Sequence, residues 1–484
     1  MWKPDRDSGT PLYEQIADHL ERRISYGELP PGTQLPSERK LAEQLGVNRS
    51  TIIQAFAELR AMGILESRTG SGTRVSLSKW GAIPKHTPNW KRYAEGGSFL
   101  PNPPFMRRIR EVLSQQELID LASGELAADL APTDEIATLM SERRFSSYLG
   151  YDHPQGYLPL RQALVGFLET HRGLQTTESS ILITSGSQQS LYLITQCLLA
   201  PGDAVAVEDP SYCYSLPMFQ SAGLRLFRLP VDEEGVHPDD LREVYRMHRI
   251  KMVFLNPNYQ NPTGTVMSEA RRKAVLEVAS ELALPIVEDD PFSLTDYNGA
   301  PPPPFKTLDT AGSVLYIGSL SKIAASGLRI GWMVAPRTVV ERLADARQQM
   351  DFGLSIIPQE IAARFLRSEA LLPHLDRLQV ELHYKRDLLI EALRRELRPE
   401  QIEFFIPEGG LHLWCKLLPP VHDGRLLEAA IRRGVVFVPG SVYGSESGYV
   451  RFTFARPDAA DIGPGIAAFA QALNDVQASQ DTNN

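Results

Sequence analysis

From about residue 118 onward, short apolar runs alternate along the chain with segments of helical periodicity. Each run is continuous and bounded by Gly, Pro, Asp or Ser; examples lie at 181–183, 204–207, 252–255, 285–287 and 314–317. Runs of this kind indicate strands buried on both faces, and strands that alternate with helices form a mostly parallel sheet. The sequence therefore predicts an α/β domain, followed after about residue 340 by a mainly helical region with a later set of strands.

Residues 1–76 carry a different pattern, that of a small helical module. Apolar residues recur every four positions from Leu12 to Ile24, and Ser37 and Asn48 are candidate N-caps of two further helices. A Thr-Gly-Ser-Gly turn then separates two short segments that predict a hairpin. Three helices followed by a hairpin form a winged helix-turn-helix, whose third helix can enter the major groove of DNA.

The charge of the chain excludes a basic coat protein for nucleic acid but allows one DNA-binding module. The formal net charge is −9, from 50 basic and 59 acidic residues, whereas residues 36–79 alone carry seven basic and four acidic residues. The residues placed to meet bases, phosphates or the minor groove are Arg39, Arg49, Ser50, Thr51, Arg68, Gly70 and Gly72. From this pattern alone, a solvated helical domain with ordinary surface arginines is an equally good interpretation.

Residues 77–117 are predicted to be an interdomain linker, because five prolines interrupt any long regular element. A short helix from Met106 to Leu118 is expected to open the next domain, and residues 476–484 are expected to form a flexible tail. The three cysteines are too widely spaced for a metal knuckle or a disulfide framework, which suits a reducing cytoplasm, and no metal is predicted. The N-terminal segment lacks the apolar core of a signal peptide, and no stretch reads as a membrane span.

Four separate patches of the second domain suit a phosphorylated aromatic aldehyde. Ser187 and Gln188 lie between a strand and a helix, where backbone N–H groups can hold a phosphate. Asn261 could donate to a phenolic oxygen. Asp289 and Asp290 end an apolar strand, and a buried carboxylate there would need a cation such as a protonated pyridine nitrogen. Lys322 stands beside two serines, and an amine in a dry pocket next to a cation becomes a nucleophile.

Each patch also has an ordinary structural interpretation. Gly-Ser and Asn-Pro turns are common, and an aspartate at the end of a strand can be an exposed cap. A lone lysine in a loop does not by itself indicate a catalytic site. An arginine in YVRFTFA, Arg451, could form a surface ion pair. The inference depends on the patches occurring together and in order.

The segments PLYEQIADHL, GELPPGTQLPSERKLAEQLGVNRSTI and LRAMGILESRTGSGTRV resemble the DNA-binding domain of GntR-type bacterial regulators, over nearly all of residues 10–76. The DNA contacts that this resemblance implies are Arg39, Arg49, Thr51, Gly70 and Gly72. One departure is Gln54, where many relatives have arginine, so the resemblance does not extend to a particular operator sequence.

The order of the patches, and above all GSLSKIAASGLRIGW, resembles the fold-type-I aminotransferases with their large and small domains, over roughly residues 118–475. The resemblance implies that Lys322 forms a Schiff base, the internal aldimine, with pyridoxal 5'-phosphate, and that Arg451 binds a carboxylate bidentately. Tyr151 resembles the tyrosine that reaches the phosphate of the partner subunit. The other cofactor contacts implied are Ser187, Gln188, Tyr212, Asn261, Asp289, Ser319, Ser321 and Arg329.

A winged helix joined by a linker to such a domain resembles the MocR branch of the GntR regulators. The resemblance implies a cytoplasmic transcription regulator that binds operator DNA and forms a homodimer, with each DNA-binding domain often set against the partner's large domain. It further implies that the large domain senses pyridoxal phosphate, an amino acid or another amine through displacement of Lys322.

Two other functions remain open from the sequence. Relatives commonly have a tyrosine shortly after the aspartate that pairs with the pyridine nitrogen, whereas this chain has Phe292, and loss of the hydroxyl removes part of the tuning for proton transfer. The main alternative is nevertheless an active aminotransferase with an autoregulatory DNA-binding module. The other alternative is a regulator whose large domain is an empty scaffold for dimerisation.

Overall fold

The computed structural model describes residues 2–6, 8–68, 72–76, 90–141, 150–299 and 301–481. The chain divides into two compact units, Met1–Gly97 and Ser98–Asn484. Among the described residues, no helix combines the length and the apolar composition that a membrane span requires.

The first unit contains three helices followed by a two-stranded antiparallel sheet, as predicted for a winged helix-turn-helix. Its elements are α1 (Leu12–Ser25), α2 (Glu38–Leu45), α3 (Arg49–Ala61), β1 (Leu65–Arg68), β2 (Gly72–Val75) and a further helix, α4 (Trp90–Gly96). The apolar stripe of α1, which includes Ile16 and Leu20, shares a core with Ile52 and Phe56 of α3. This packing fixes α3 on the rest of the module and leaves its polar face to solvent.

The two predicted N-caps of this unit have different outcomes. Ser37 caps α2, because its hydroxyl accepts a hydrogen bond from the Lys40 amide at 3.3 Å. Asn48 occupies the predicted N-cap position of α3, but its side chain makes no capping hydrogen bond. The backbone supplies the contact instead: the Thr51 amide donates to the carbonyl oxygen of Asn48 at 3.0 Å.

The second unit alternates strands and helices, as the apolar runs predict. Its helices are α5 (Pro104–Gln115), α6 (Thr133–Ser141), α7 (Leu158–Arg172), α8 (Ser187–Cys197), α9 (Met218–Ser221), α10 (Pro238–His248), α11 (Glu269–Glu281), α12 (Phe305–Leu308), α13 (Arg337–Asp351), α14 (Ile356–Arg367), α15 (Leu371–Glu396), α16 (Asp423–Arg432) and α17 (Ala459–Asp481). Its strands are β3 (Ile119–Asp120), β4 (Ile181–Thr184), β5 (Ala204–Asp209), β6 (Arg225–Asp232), β7 (Gly235–Val236), β8 (Met252–Leu255), β9 (Ile286–Asp289), β10 (Val314–Ser319), β11 (Gly331–Val334), β12 (Ile402–Phe404), β13 (His412–Leu417), β14 (Val435–Val436), β15 (Val438–Pro439) and β16 (Tyr449–Thr453).

The large sheet contains, in the described part of the chain, strands in the order β4-β11-β10-β9-β8-β5-β6-β7. The pairs from β10 through β9, β8 and β5 to β6 are parallel, and β11 runs antiparallel to both β10 and β4. All five predicted apolar runs lie in this sheet, so the predicted α/β class is confirmed. The carboxyl ends of β4, β5, β8, β9 and β10 meet at one edge, which is where open α/β sheets bind ligands.

A smaller antiparallel sheet, β12-β13-β16-β15, follows later in the chain and forms the predicted second set of strands. It belongs to the same hydrophobic core as α15 and α17. The predicted flexible tail is wrong for residues 476–481, because α17 runs to Asp481. Its apolar positions continue through Leu473 and Val476, both of which are buried.

The predicted linker is too long at its C-terminal end. Residues 104–115 form α5, in which Ile109 and Val112 are buried in the core of the second unit. Pro104 does not interrupt regular structure here, because it occupies the first turn of α5, where a missing N–H and a fixed φ are tolerated.

Candidate functional site

A cavity of about 300 Å³ opens at the carboxyl edge of the large sheet. All the residues predicted to contact cofactor or carboxylate, with the exception of Tyr151, line it: Ser187, Gln188, Tyr212, Asn261, Asp289, Ser319, Ser321, Lys322, Arg329 and Arg451. The volume is in the range of small-molecule sites. Residues that are up to 264 positions apart in the chain thus share one small space. The large sheet delivers most of them to its carboxyl edge, and Arg451 comes from β16 of the small antiparallel sheet.

The groups at one end of the cavity are suited to binding an anion. Gly186, with φ of +82°, turns the chain from β4 into α8, whose first residue is Ser187. A Cβ at Gly186 would lie 2.7 Å from Nη2 of Arg329, so only glycine lets the guanidinium approach this helix N-terminus. The hydroxyls of Ser319 and Ser321 are hydrogen-bonded to each other at 3.0 Å beside it. Backbone N–H groups, hydroxyls and one arginine form a phosphate-binding arrangement.

A chain of hydrogen bonds connects this end of the cavity to Arg451. Gln188 Nε2 donates to the hydroxyl of Tyr212 at 2.7 Å, and the Tyr212 amide donates to the backbone oxygen of Asn261 at 2.9 Å. Arg451 Nη1 donates to the side-chain oxygen of Asn261 at 3.0 Å. The ring of Tyr212 and the amide of Asn261 are therefore held in place by residues of the site itself.

Arg451 is buried and lines the cavity. Its Nη2 donates to the carbonyl oxygen of Ala122 at 2.6 Å, and the ring of Tyr443 lies 5.1 Å from its guanidinium carbon. Its Nε has no hydrogen-bond partner. Burial lowers the pKa of Arg451, and no carboxylate forms an ion pair with it among the described residues. A buried guanidinium with no carboxylate in ion-pair contact is suited to binding a ligand carboxylate.

Asp289 and Asp290 are adjacent but have opposite environments. Asp290 accepts hydrogen bonds from Asn258 at 2.8 Å and from Tyr316 at 3.0 Å, and it lies 3.5 Å from Arg172. Asp289 lines the cavity, and its Oδ1 is buried without any partner. Burial, with a contribution from Asp290, raises the pKa of Asp289 to about 7. Asp289 is the carboxylate that needs a cationic ligand group.

Lys322 follows β10 in a short turn and directs its amine into the cavity. Its Nζ donates to the carbonyl oxygen of Gly124 at 2.5 Å. Burial lowers the pKa of Lys322 to about 8, with Arg451 and Arg329 also lowering it and Glu125 and Asp289 opposing them. The amine is therefore a nucleophile near neutral pH, which an ordinary lysine is not.

The reactivity of Lys322 should accordingly titrate well below that of a surface lysine. We expect the rate at which the cofactor-free protein reacts with pyridoxal phosphate to rise with pH and to reach half its maximum near pH 8, because only the neutral amine attacks an aldehyde. Stopped-flow absorbance measures this rate, and the Lys322→Ala protein supplies the background from other lysines. A half-maximum near pH 10 would contradict the dry environment of this amine.

Several residues of the cavity were not predicted from the sequence. Glu208 is buried beneath it and accepts hydrogen bonds from the Asn256 amide at 3.0 Å and from Gln260 at 3.2 Å. Burial raises the pKa of Glu208 to about 7. His412, at the start of β13, also lines the cavity. A histidine at the start of a mostly apolar strand was the available signal for His412, whereas Glu208 resembles any strand-end carboxylate.

Phe292 lies in the wall of the cavity, where it is buried and packs edge-to-face against His412 with ring centroids 5.8 Å apart. The phenyl ring contributes no hydrogen-bonding group. Tyr151, by contrast, is 78% exposed, and its ring stands 5.6 Å from that of Phe352. The structure therefore does not bring Tyr151 to the cavity of its own chain.

The predicted DNA-contacting residues lie on one module, although not all of them are described. Arg49 and Ser50 begin α3 and are exposed, as is Arg39 of α2. Gly70 and the side chain of Arg68 lie outside the described residues. Gly72 has φ of +80°, and a Cβ there would lie 3.2 Å from Gln34, so this position of the wing requires glycine. Thr51 is half-buried on α3.

The sequence did not reveal that Arg49 is held by a neighbour. Nε and Nη2 of Arg49 donate to one carboxylate oxygen of Glu38, at 3.3 and 3.0 Å. Glu38 is the first residue of α2, so this pair links the starts of the two helices of the helix-turn-helix. The contact restricts the guanidinium to the N-terminal end of α3, the end that reaches base edges in this motif.

Removal of the Arg49 side chain should weaken DNA binding. We expect Arg49→Ala to cost about 1–3 kcal/mol of binding free energy, the usual contribution of an arginine that contacts a guanine. Fluorescence anisotropy on a duplex selected by the wild-type protein from a random library measures the effect, with Arg22→Ala on the exposed side of α1 as the control. Equal DNA affinities of the Arg49→Ala and wild-type proteins would show that Arg49 does not contact the DNA.

The two units define a class of protein: a winged helix-turn-helix joined to a fold-type-I domain with a pyridoxal phosphate site. The cofactor fits the residues present. The unpartnered carboxylate of Asp289 suits a protonated ring nitrogen, the cradle at Gly186 and Arg329 suits a phosphate, and Lys322 suits an aldehyde. When bound, the cofactor supplies an aldehyde that condenses with primary amines and a ring that withdraws electrons. Within the described residues, no cluster of His, Cys, Asp and Glu suits a metal.

Comparison with known proteins supports both units. The family "Aminotransferase class I and II" matches residues 116–469, and "Bacterial regulatory proteins, gntR family" matches residues 12–75. The HTH-type transcriptional regulator YdfD of Bacillus subtilis, itself uncharacterized, is 39% identical over 94% of this chain and 95% of its own length. Aromatic-amino-acid aminotransferase 1 of Thermococcus litoralis is 32% identical over 76% of this chain and 91% of its own.

A solved structure extends the similarity to three dimensions. Kynurenine aminotransferase of Pyrococcus horikoshii, crystallised with PMP and its substrates and products, has a TM-score of 0.73 and 31% identity, covering 82% of this chain and 98% of its own. The chain belongs to the GntR family of bacterial transcription regulators that carry an aminotransferase class I and II domain, the MocR-type architecture. Its cofactor is pyridoxal 5'-phosphate.

Proposed function

We propose that this protein is a cytoplasmic regulator that changes its binding to operator DNA when an amino acid or another carboxylate-bearing amine enters the cavity of its large unit. The observation that carries the proposal is the pair formed by Lys322 and Arg451. One supplies an amine of lowered pKa, the other a buried guanidinium without an ion-pair partner among the described residues, and both line the same cavity.

Different residues of the cavity bind different parts of the cofactor and the effector. Ser187, Ser319, Ser321 and Arg329 hold the phosphate, and Asp289 keeps a proton on the ring nitrogen. An effector brings its carboxylate to Arg451, whose Nε is unpartnered. A ligand shifts a conformational equilibrium only if it binds the two conformations unequally. We propose that ion pairing at Arg451 supplies this difference, because it gives a carboxylate partner to a buried guanidinium that has no ion-pair contact among the described residues.

A titration of the cofactor-loaded protein tests the proposal. Amino acids of both chiralities are added while the absorbance of the cofactor and the affinity for a selected duplex are followed in parallel. We expect at least one amino acid to change both signals over the same concentration range, because occupancy of the cavity is the common cause. Spectral changes with every amino acid tried but unaltered DNA affinity would overturn the sensor function.

An active aminotransferase is the alternative that the same cavity supports, since Lys322, Asp289 and Arg451 are all present in it. Against it stands Phe292, which offers no hydroxyl to the cofactor, together with the dedicated DNA-binding unit. Steady-state transfer of an amino group to a keto acid at about 1 per second or faster would establish the alternative.

The proposed regulator is a homodimer, in which each DNA-binding unit is set against the large domain of the partner. Tyr151 supports a second copy of the chain: its ring centroid lies 5.6 Å from that of Phe352, and both side chains are largely exposed to solvent. Exposed apolar side chains gathered in one place indicate an interface. Sedimentation equilibrium of the wild-type protein, compared with a Tyr151→Glu and Phe352→Glu double variant, would show whether these residues hold a dimer together.

A further inference from the structure

His412 is a buried polar residue of the cavity to which no role has yet been given. It begins β13 and is 4% exposed, and its Nδ1 makes no hydrogen bond. Nδ1 is enclosed by the protein, so the other ring nitrogen, Nε2, is the one that can meet a ligand, since His412 is part of the lining of the cavity.

The position of the ring is fixed on several sides. His412 pairs with Thr453 across the small sheet, and Trp414, two residues further along β13, pairs with Arg451. Side chains of paired and of second-next residues lie on the same face of a sheet, so His412 and Arg451 are diagonal neighbours on one face. Phe292 packs against the ring edge-to-face at 5.8 Å.

The other edge of the ring faces Gly124. A Cβ at Gly124 would lie 3.2 Å from Cε1 and 3.4 Å from Nε2 of His412, and 3.9 Å from Nζ of Lys322. The imidazole and the lysine amine therefore converge on the same glycine. A larger residue at position 124 would separate the imidazole from the space around the amine.

The imidazole is neutral. Burial lowers the pKa of His412 well below its ordinary value, and Arg451 and Lys322 lower it further. A neutral imidazole has one donor and one acceptor nitrogen. Because a buried N–H without a partner is costlier than a buried lone pair, the proton belongs on Nε2 and Nδ1 is the bare acceptor. The N–H is then on the Gly124 side of the ring.

We propose that His412 determines effector specificity by donating a hydrogen bond from Nε2 to a polar group on the side chain of a bound amino acid. The proposal rests on the function proposed above, because it requires an amino acid in the cavity. Arg451 and Lys322 recognise the carboxylate and the amine, which all amino acids share. His412 adds a contact that only amino acids with a hydroxyl, amide or carboxylate side chain can complete.

Isosteric pairs of amino acids isolate this contact. Threonine and valine, asparagine and leucine, and serine and 2-aminobutyrate differ little in shape, and each pair shares the carboxylate and the amine. Calorimetric titration of the cofactor-loaded protein with both enantiomers gives the affinity ratio within each pair. We expect the wild-type protein to favour the polar member of at least one pair by roughly tenfold or more, as sites built to hydrogen-bond a ligand do.

His412→Phe removes both ring nitrogens and keeps an aromatic ring against Phe292, and we expect it to reduce that preference to within about threefold. His412→Gln retains a donor and should restore most of the preference. His171→Phe, which alters a half-buried histidine outside the cavity, is the control. The absorbance of the bound cofactor should be retained in the control and in both His412 variants.

Three results would count against the inference. If the wild-type protein shows no preference in any pair, or if His412→Phe keeps the wild-type ratios, His412 does not select the side chain. If His412→Phe weakens both members of every pair equally, the imidazole contacts the carboxylate that they share. Failure of all the amino acids to bind the wild-type protein would instead overturn the proposed function, and this inference with it.

Discussion

Lys322→Ala should abolish covalent attachment of the cofactor while leaving the DNA-binding unit unaffected. We expect borohydride reduction of the cofactor-loaded wild-type protein to leave a pyridoxyl label on the peptide that contains Lys322, and the variant to carry no label there. The physical reason is that the pKa of Lys322 is lowered to about 8, so its amine is available to the aldehyde near neutral pH. Mass spectrometry of the digested protein measures the label.

The same variant separates sensing from DNA binding. Its affinity for a selected duplex should stay within about twofold of wild type, because the substitution lies in the second unit, but that affinity should no longer respond to the amino acid effector. Lys251→Ala, on the surface of the second unit, is the matched control and should keep both the label and the response. A variant of Lys322 that still responds would show that the effector acts without this amine.

Neutralisation of the two adjacent aspartates should have opposite effects on the cofactor-free protein. Asp290→Asn leaves Arg172 as a buried cation without its carboxylate at 3.5 Å, and loss of one partner of such a pair costs about 3–5 kcal/mol of unfolding free energy. Asp289→Asn removes a carboxylate that has no partner at Oδ1. We expect it to raise the unfolding free energy at pH 8 by at least about 1 kcal/mol, since one pKa unit corresponds to about 1.4 kcal/mol.

The stability difference between Asp289→Asn and the wild-type protein should depend on pH. The pKa of Asp289 is raised to about 7 in the folded protein, so ionisation of this carboxyl costs stability. At pH values below the ordinary pKa of an aspartate, both the folded and the unfolded wild-type chains hold the proton, and no cost exists. The stability advantage of Asp289→Asn should therefore be absent below about pH 3 and grow as the pH rises to 7.

Cofactor binding should reverse the order of stability. The affinity of Asp289→Asn for pyridoxal phosphate should fall by roughly tenfold or more, because a charge-assisted hydrogen bond to the ring nitrogen is lost. Thermal unfolding with and without the cofactor measures both effects. If Asp289→Asn is less stable than wild type at pH 8 without cofactor, the carboxylate has a partner that the structure does not show.

Much of the fold was predictable because its signals are local. The runs at 204–207 and 314–317 are continuous and apolar, and such runs form buried parallel strands whatever lies elsewhere in the chain. Once the strands are parallel, the gathering of Asp289 and Lys322 at one edge follows from topology. The winged helix was predictable for the same reason, since the stripe on α1 and the capping Ser37 are local features.

What the sequence did not reveal depends on residues far apart in the chain. The choice between Asp289 and Asp290 as the unpaired carboxylate is made by Arg172, Tyr316 and Asn258, whose side chains turn Asp290 away from the cavity. The restraint of Arg49 by Glu38 spans a turn whose geometry no pattern specifies. The prolines before α5 were misleading, because proline stops a helix in its interior but starts one at its first turn.

Helix α5 connects the cavity to the part of the chain that leads to the DNA-binding unit. Met106 and Ile109, on one side of this helix, belong to the wall of the cavity, and Arg108 anchors the helix to Glu428 at 2.7 Å. The chain that enters α5 at Pro104 is the chain that comes from the winged helix. A ligand that contacts Met106 thus contacts the helix to which the chain from the first unit leads. A change in the position of α5 is then enough to link occupancy of the cavity to the DNA-binding unit.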